Sequence, residues 1–138
     1  MVNTGAANES LLRDALNSTI ALTDSGGNPV DYTHYDPYGN TTDTVPGSAS
    51  PFEFTGREND TTAISAGYYY SNLYFMRGRY YDPQIARFIS RDPGGLAGGI
   101  NMYTYAGDDP VDVGDATGMG CGGGDCYRSQ SHRRWRWS

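Results

Sequence analysis

The sequence predicts an all-β fold: an incomplete, curved antiparallel sheet with a few short helical turns. Three observations carry that reading. Short runs of β-branched and aromatic residues lie between clusters of Gly, Pro, Asn and Asp, as strands lie between turns. Tyrosine is abundant, with 12 residues against 4 Phe and 2 Trp. Its ring packs on a sheet while its hydroxyl reaches water or a partner. Finally, 19 Gly and 7 Pro break a chain of 138 residues into short pieces, a length suited to one domain with a modest core.

The elements follow in order. Residues 1–13 are polar and read as a flexible N-terminus. Residues 17–23, NSTIALT, are β-branched and apolar and predict a strand. DSGGN follows as a turn, with Gly26 and Gly27 free to take positive φ, and residues 29–35 read as the returning strand of a hairpin. Residues 36–50 read as loop. The alternation in FEFT, residues 52–55, predicts a half-buried strand. Residues 58–66 read as a second loop. Residues 67–70 and 73–81 are expected to be strands with aromatic pairs. Short helical turns are expected near 85–89 and 101–106, with the glycine-rich residues 94–99 as a flexible joint. From Gly120 onward the pattern stops.

The formal net charge is −6, and all ten basic residues are Arg. An acidic body argues against nucleic acid as the main partner, because phosphate binding needs a basic face. No apolar run approaches the ~20 residues of a membrane span. The start, MVNTGAANES, has neither the basic nor the apolar part of a signal peptide. Either the chain stays inside, leaves by a specialised route or is a piece of a longer polypeptide; the expected location is outside the cell or at its surface, reached by a non-classical route. Cys121 and Cys126 have a spacing that suits a local disulfide or two free thiols better than a metal site. His34 reads as an exposed strand residue without a catalytic role.

Three segments carry the functional signal. Residues 77–93 read RGRYYDPQIARFISRDP, residues 101–119 read NMYTYAGDDPVDVGDATGM, and residues 32–40 read YTHYDPYGN. The Asp82-Pro83, Asp92-Pro93 and Asp109-Pro110 steps are each a turn signal, because Asp bonds local amides and Pro sets φ. Together the three blocks resemble the core domain that closes RHS/YD-repeat proteins, including bacterial polymorphic toxins and the C components of Tc toxins. The family pattern reads roughly RYYDPxxGRFxxxDPxG, then LNxYxYxxNNPVxxxDPxGL. The residues that match it are Tyr35, Asp36, Tyr80, Tyr81, Asp82, Pro83, Arg87, Pro93, Pro110 and Gly118. The resemblance covers residues 14–119, the core domain, and leaves 120–138 as a Gly-rich, then basic and aromatic tail. The sheet would then be built of YD-type hairpins.

The resemblance implies an aspartyl protease that acts once on its own chain. It carries functional roles onto Arg79, Asp92 and Asp115, with cleavage between Met119 and Gly120. Such chemistry needs two carboxyl groups close together, one giving a proton and one activating water, and Arg79 would orient a carboxylate. The implied role is that of an end plug for a YD-repeat β-shell, releasing a C-terminal passenger. The implied partner is a shell protein or further copies of the chain; no small-molecule substrate, cofactor or metal is implied, and membrane contact is confined to the tail. The sequence departs from the pattern at Ala116, where the family has Pro, at Met119 for Leu, at Asp108-Asp109 for Asn-Asn, and at Ala86 for Gly. A catalytically silent, stand-alone β-module with a structural or self-assembling role is the alternative.

Overall fold

One turn, used repeatedly, explains why this chain meanders. At residues 14–18, 24–28 and 36–40 the Asp amide donates to the carbonyl four residues later, at 2.9 Å each time. The Asp carboxylate accepts from the amides two and four positions on: Leu16 and Ser18 for Asp14, Gly26 and Asn28 for Asp24, Tyr38 and Asn40 for Asp36, all within 2.9 Å. A short carboxylate reaches these local amides and so seeds the turn. The fourth residue must be left-handed, which Asn and Gly tolerate: φ is +71° at Asn17, +81° at Gly27 and +92° at Gly39.

The computed structural model describes residues 2–3, 8–44, 50–60, 72–122, 124 and 126–129. Strands β1 (Val2–Asn3), β2 (Asn8–Arg13), β3 (Thr19–Thr23), β4 (Pro29–Tyr35) and β5 (Thr41–Thr44) form one antiparallel sheet in chain order. Strands β6 (Glu58–Asp60), β7 (Leu73–Phe75), β8 (Tyr80–Asp82) and β9 (Arg87–Phe88) form a second antiparallel meander. The last pair is β10 (Val113–Asp115) with β11 (Cys126–Arg128), where Asp115 faces Cys126. The all-β fold class is as expected: the sheets are antiparallel and open, and the helical pieces are short 3-10 turns at Phe54–Gly56, Gly95–Gly98 and Ala106–Asp108.

Several boundaries differ from expectation, for local reasons. Residues 8–13, read as part of a flexible start, form a strand that pairs with β1 through Asn8 and Glu9 and with β3 through residues 10–13. The expected strand at 52–55 is a bridge at Phe52 followed by a 3-10 turn. Glu53–Arg57 reuses the five-residue turn (Glu53 N to Arg57 O, 2.9 Å; Gly56 φ +67°), so the backbone reverses where alternation suggested extension. The expected strand at 73–81 is the β7–β8 hairpin. Its turn is left-handed at Arg77, with φ +63°, a residue type that gives no turn signal. No helical turn forms at 85–89, because Arg87 and Phe88 pair with β8. The turn expected at 101–106 begins at Ala106, and residues 94–99, read as a flexible joint, hold the Gly95–Gly98 turn. Strands β5, β6 and β11 lie where loop or patternless tail was expected. The strand expected at 67–70 and most of the tail lie outside the described residues.

The core is aromatic. Phe54 lies 5.6 Å from Tyr74, 6.0 Å from Tyr105 and 6.3 Å from Tyr81 between ring centroids, and Tyr81 and Tyr105 are 4.4 Å apart. Each such pair contributes about 0.5–1.5 kcal/mol beyond its buried area. The buried hydroxyls tie the two large sheets together. Tyr74 donates to the Gly39 carbonyl at 3.1 Å and Tyr81 to the Tyr38 carbonyl at 2.8 Å, both in the turn after β4. Within the first sheet, Tyr35 donates to the Thr19 carbonyl at 2.9 Å. Burial pushes the Tyr74, Tyr81 and Tyr105 hydroxyls well above the ordinary tyrosine range.

Candidate functional site

Arg79, Asp92 and Asp115 meet beneath the β7–β8 hairpin. Arg79 is held by the turn that precedes β8, where the Met76 amide donates to the Arg79 carbonyl at 2.9 Å. Its guanidinium lies 3.6 Å over the Phe88 ring, a cation–π contact on the floor of the site. One terminal nitrogen, Nη2, is 3.3 Å from Asp92 Oδ2 and 4.0 Å from Asp115 Oδ2. The Arg79 side chain is 2% exposed, that of Asp92 3% and that of Asp115 0%, so solvent screens these contacts little. Burial lowers the Arg79 pKa from its ordinary value, while Asp92 and then Asp115 oppose that shift.

The loop after β10 is strapped almost atom by atom. Asp115 Oδ1 accepts from the Thr117 amide at 3.2 Å and the Gly118 amide at 2.8 Å, and Oδ2 accepts from the Gly120 amide at 2.9 Å. The Met119 amide donates to Thr117 Oγ1 at 3.2 Å. On the carbonyl side, Arg57 donates to Ala116, the Gly78 amide to Thr117 at 3.0 Å, and Arg79 Nε to Gly118. Arg79 Nη1 also donates to the Met102 carbonyl at 2.8 Å.

Glycines let the backbone approach Asp92. The Gly94 amide donates to Asp92 Oδ1 at 2.7 Å. A Cβ on Gly98 or on Gly120 would stand 2.5 Å from Asp92 Oδ2, and the Gly98 Cβ would also stand 3.4 Å from the Met119 carbonyl oxygen. The Met119–Gly120 peptide therefore runs between the two carboxyl groups, with its nitrogen on Asp115 and its carbonyl beside the glycine that faces Asp92. Gly120 has φ +80° and Gly118 φ +70°, and a Cβ on Gly118 would collide with the Met76 carbonyl.

The matching motif residues serve the scaffold around this site. Tyr35 and Tyr81 anchor the core as described, and Asp36 makes its turn. Tyr80 donates to Asp60 Oδ2 at 3.2 Å. Asp82 accepts from the Gln84 amide at 2.9 Å, and the carbonyl of buried Pro83 accepts from Asn40 Nδ2 at 2.9 Å. Arg87 donates to Thr104 Oγ1 at 3.4 Å. Pro93 is exposed in the turn that Asp92 caps, and Pro110 is buried. His34 is exposed, as expected. Cys121 and Cys126 form a disulfide that packs against the core. Among the described residues no group of three or more His, Cys, Asp or Glu is arranged to hold a metal. Sequence reasoning missed Arg57, Met102, Phe88 and Gly98. Arg57 and Met102 act through long-range contacts with backbone carbonyls, which no motif spacing signals.

The chain is 41% identical over 71 residues to toxin protein Tse5 of Pseudomonas aeruginosa, covering 51% of this chain and 5% of that protein. It is 30% identical over 101 residues to toxin subunit YenC2 of Yersinia entomophaga, covering 70% of this chain and 10% of that one. A crystal structure of TcdB2-TccC3 matches 80% of this chain and 5% of its own, with a TM-score of 0.69 and 29% identity. The kinship with RHS-associated toxin domains is borne out. No family model matches the chain. The chain spans a tenth or less of each of these relatives, so it is similar to one RHS-related, toxin-associated segment of much longer proteins. No helix among the described residues is long and apolar enough to cross a membrane.

Proposed function

We propose that this chain is an RHS-type core module that plugs the end of a YD-repeat shell and cuts its own backbone once, between Met119 and Gly120. One observation supports this reading above all: a single buried guanidinium faces both Asp92 and Asp115, and the Gly120 nitrogen rests on Asp115 Oδ2 at 2.9 Å. In the proposed reaction Asp92 takes a proton from a water whose oxygen attacks the Met119 carbonyl carbon. The Met119–Gly120 bond then breaks, and Asp92 passes that proton to the departing Gly120 nitrogen, whose N–H Asp115 Oδ2 holds in place. The products are a Met119 carboxylate and a Gly120 amine. Because the scissile bond is tethered and its loop strapped, positioning alone can supply on the order of 7–11 kcal/mol of the barrier at best.

The partner in this reading is a shell protein. The β2–β4 sheet leaves Leu12 49%, Ile20 40%, Val30 50% and Tyr32 51% exposed, an apolar face of the kind that a partner covers. TccC3 is paired with TcdB2 in the matching crystal structure, which suits the same role here, with secretion as the route outward.

The test is the intact mass of purified protein over time. The parent should pass from one species at 15.0 kDa to two fragments split after Met119. Asp92→Asn and Asp115→Asn, which keep shape but lose the carboxyl chemistry, should stay whole. If Asp92→Asn cuts as fast as the parent, the aspartyl mechanism is wrong. If the parent itself never cuts, the structural module is the better account.

A further inference from the structure

Arg57 lies outside all three motif segments, yet its guanidinium reaches the cleavage loop across 59 residues of chain to donate to the Ala116 carbonyl. We propose that Arg57 is a positioning residue for the Met119–Gly120 cut, acting through the Ala116–Thr117 peptide on the Asp115 carboxyl. The inference rests on the self-cleavage reading above.

The two ends of one peptide unit carry the argument. Arg57 holds its carbonyl, and its N–H, on Thr117, donates to Asp115 Oδ1 at 3.2 Å. A peptide is planar, so fixing the carbonyl fixes the direction of the N–H. A cation on the carbonyl also polarises the amide and strengthens it as a donor. The next two carbonyls, of Thr117 and Gly118, are held separately by the Gly78 amide and Arg79. Among the described residues Arg57 therefore supplies the hydrogen bond that holds the carbonyl of the Ala116–Thr117 peptide. Without it that peptide can rotate, and Asp115, whose other oxygen meets the Gly120 nitrogen, loses a donor that aims it.

The base from which Arg57 reaches is rigid. It closes the five-residue turn begun by Glu53, and its own amide donates to the carbonyl of Phe54, the aromatic at the centre of the core, at 2.9 Å. Among the described residues Arg57 forms no ion pair with a carboxylate, and its Nε is buried without a hydrogen-bond partner. It places its charge instead on a backbone carbonyl of the cleavage loop.

The experiment compares the parent with Arg57→Ala and Arg57→Lys by two readouts. The first is the rate of fragment appearance by mass. Arg57→Ala should slow cutting by about 10–100-fold, the usual loss when a group that orients a functional side chain is removed. Arg57→Lys, which keeps a cation within reach, should recover part of the rate. The second readout is amide hydrogen exchange at Thr117, Gly118 and Gly120, taken in the Asp92→Asn background so that the chain stays whole. Arg57→Ala should speed exchange at Thr117 and Gly118 and leave Ala21 and Tyr32, in the β3–β4 ladder, unchanged. Unchanged exchange at Thr117, or cutting as fast as the parent, overturns the inference. So does exchange that rises equally in β3–β4, or a Lys variant as slow as the Ala variant. A parent that never cuts overturns the self-cleavage reading instead, and the exchange readout still decides whether Arg57 holds the loop.

Discussion

Arg79→Ala tests whether the buried triad is an electrostatic unit. The substitution strands two carboxyl groups whose side chains are 3% and 0% exposed. Removing one partner from a buried ion pair costs about 3–5 kcal/mol, because the other charge stays buried without compensation. Here one cation serves two acids. The Gly118 and Met102 carbonyls also lose a donor, at about 0.5–1.5 kcal/mol each. The sum, on the order of 5 kcal/mol, is a large part of the about 5–15 kcal/mol that holds a typical domain together. Urea unfolding followed by circular dichroism measures it. Adding Asp92→Asn to Arg79→Ala removes one stranded charge, so the double variant should regain about 1–3 kcal/mol over the single. An Arg79→Ala protein within about 0.5 kcal/mol of the parent, the range of an ordinary surface change, would refute the reasoning. So would a double variant no more stable than the single.

Two further outcomes follow from the packing. Gly98→Ala puts a methyl group 2.5 Å from Asp92 Oδ2 and must push the carboxyl aside, so self-cleavage should fall about 100-fold, the scale of a 1 Å misplacement; a mass time course checks it, and cutting at the parent rate would show that Asp92 is not held where the reaction needs it. Tyr74, Tyr81 and Tyr105 have folded-state pKa values raised by burial above the unfolded value near 10. Their contribution is therefore intact below that pH and lost as pH climbs toward the folded values, at about 1.4 kcal/mol per pH unit for each tyrosine. Ultraviolet absorbance should show these three ionising together with unfolding, and free titration near pH 10 in the folded protein would contradict their burial.

Much of the fold was legible because its signals are local. The strand Pro29–Tyr35 and the turn before it follow from Asp24, Gly27 and Asn28, whose contacts lie within five residues of one another. Phe54 was misread because two apolar positions cannot separate a strand from a tight turn, and the deciding residue, Gly56 with φ +67°, lies just beyond them. The β7–β8 hairpin was hidden because Arg77 takes the left-handed position. Strand β11 was hidden because its partner, β10, precedes it by a glycine-rich stretch with no apolar pattern.

The sequence by itself determined the all-β class, because Asp-seeded turns are properties of chain order, and its resemblance to the RHS core pointed to Arg79, Asp92 and Asp115. Only the tertiary structure decided that one guanidinium faces both acids, that the Gly120 nitrogen rests on Asp115, and that Arg57 and Arg79 strap the loop between them. The arginine contacts among them join residues 13, 39 and 59 positions apart. They exist only once the aromatic core has stacked the short strands, and nothing in the local chemistry of each segment carries that information.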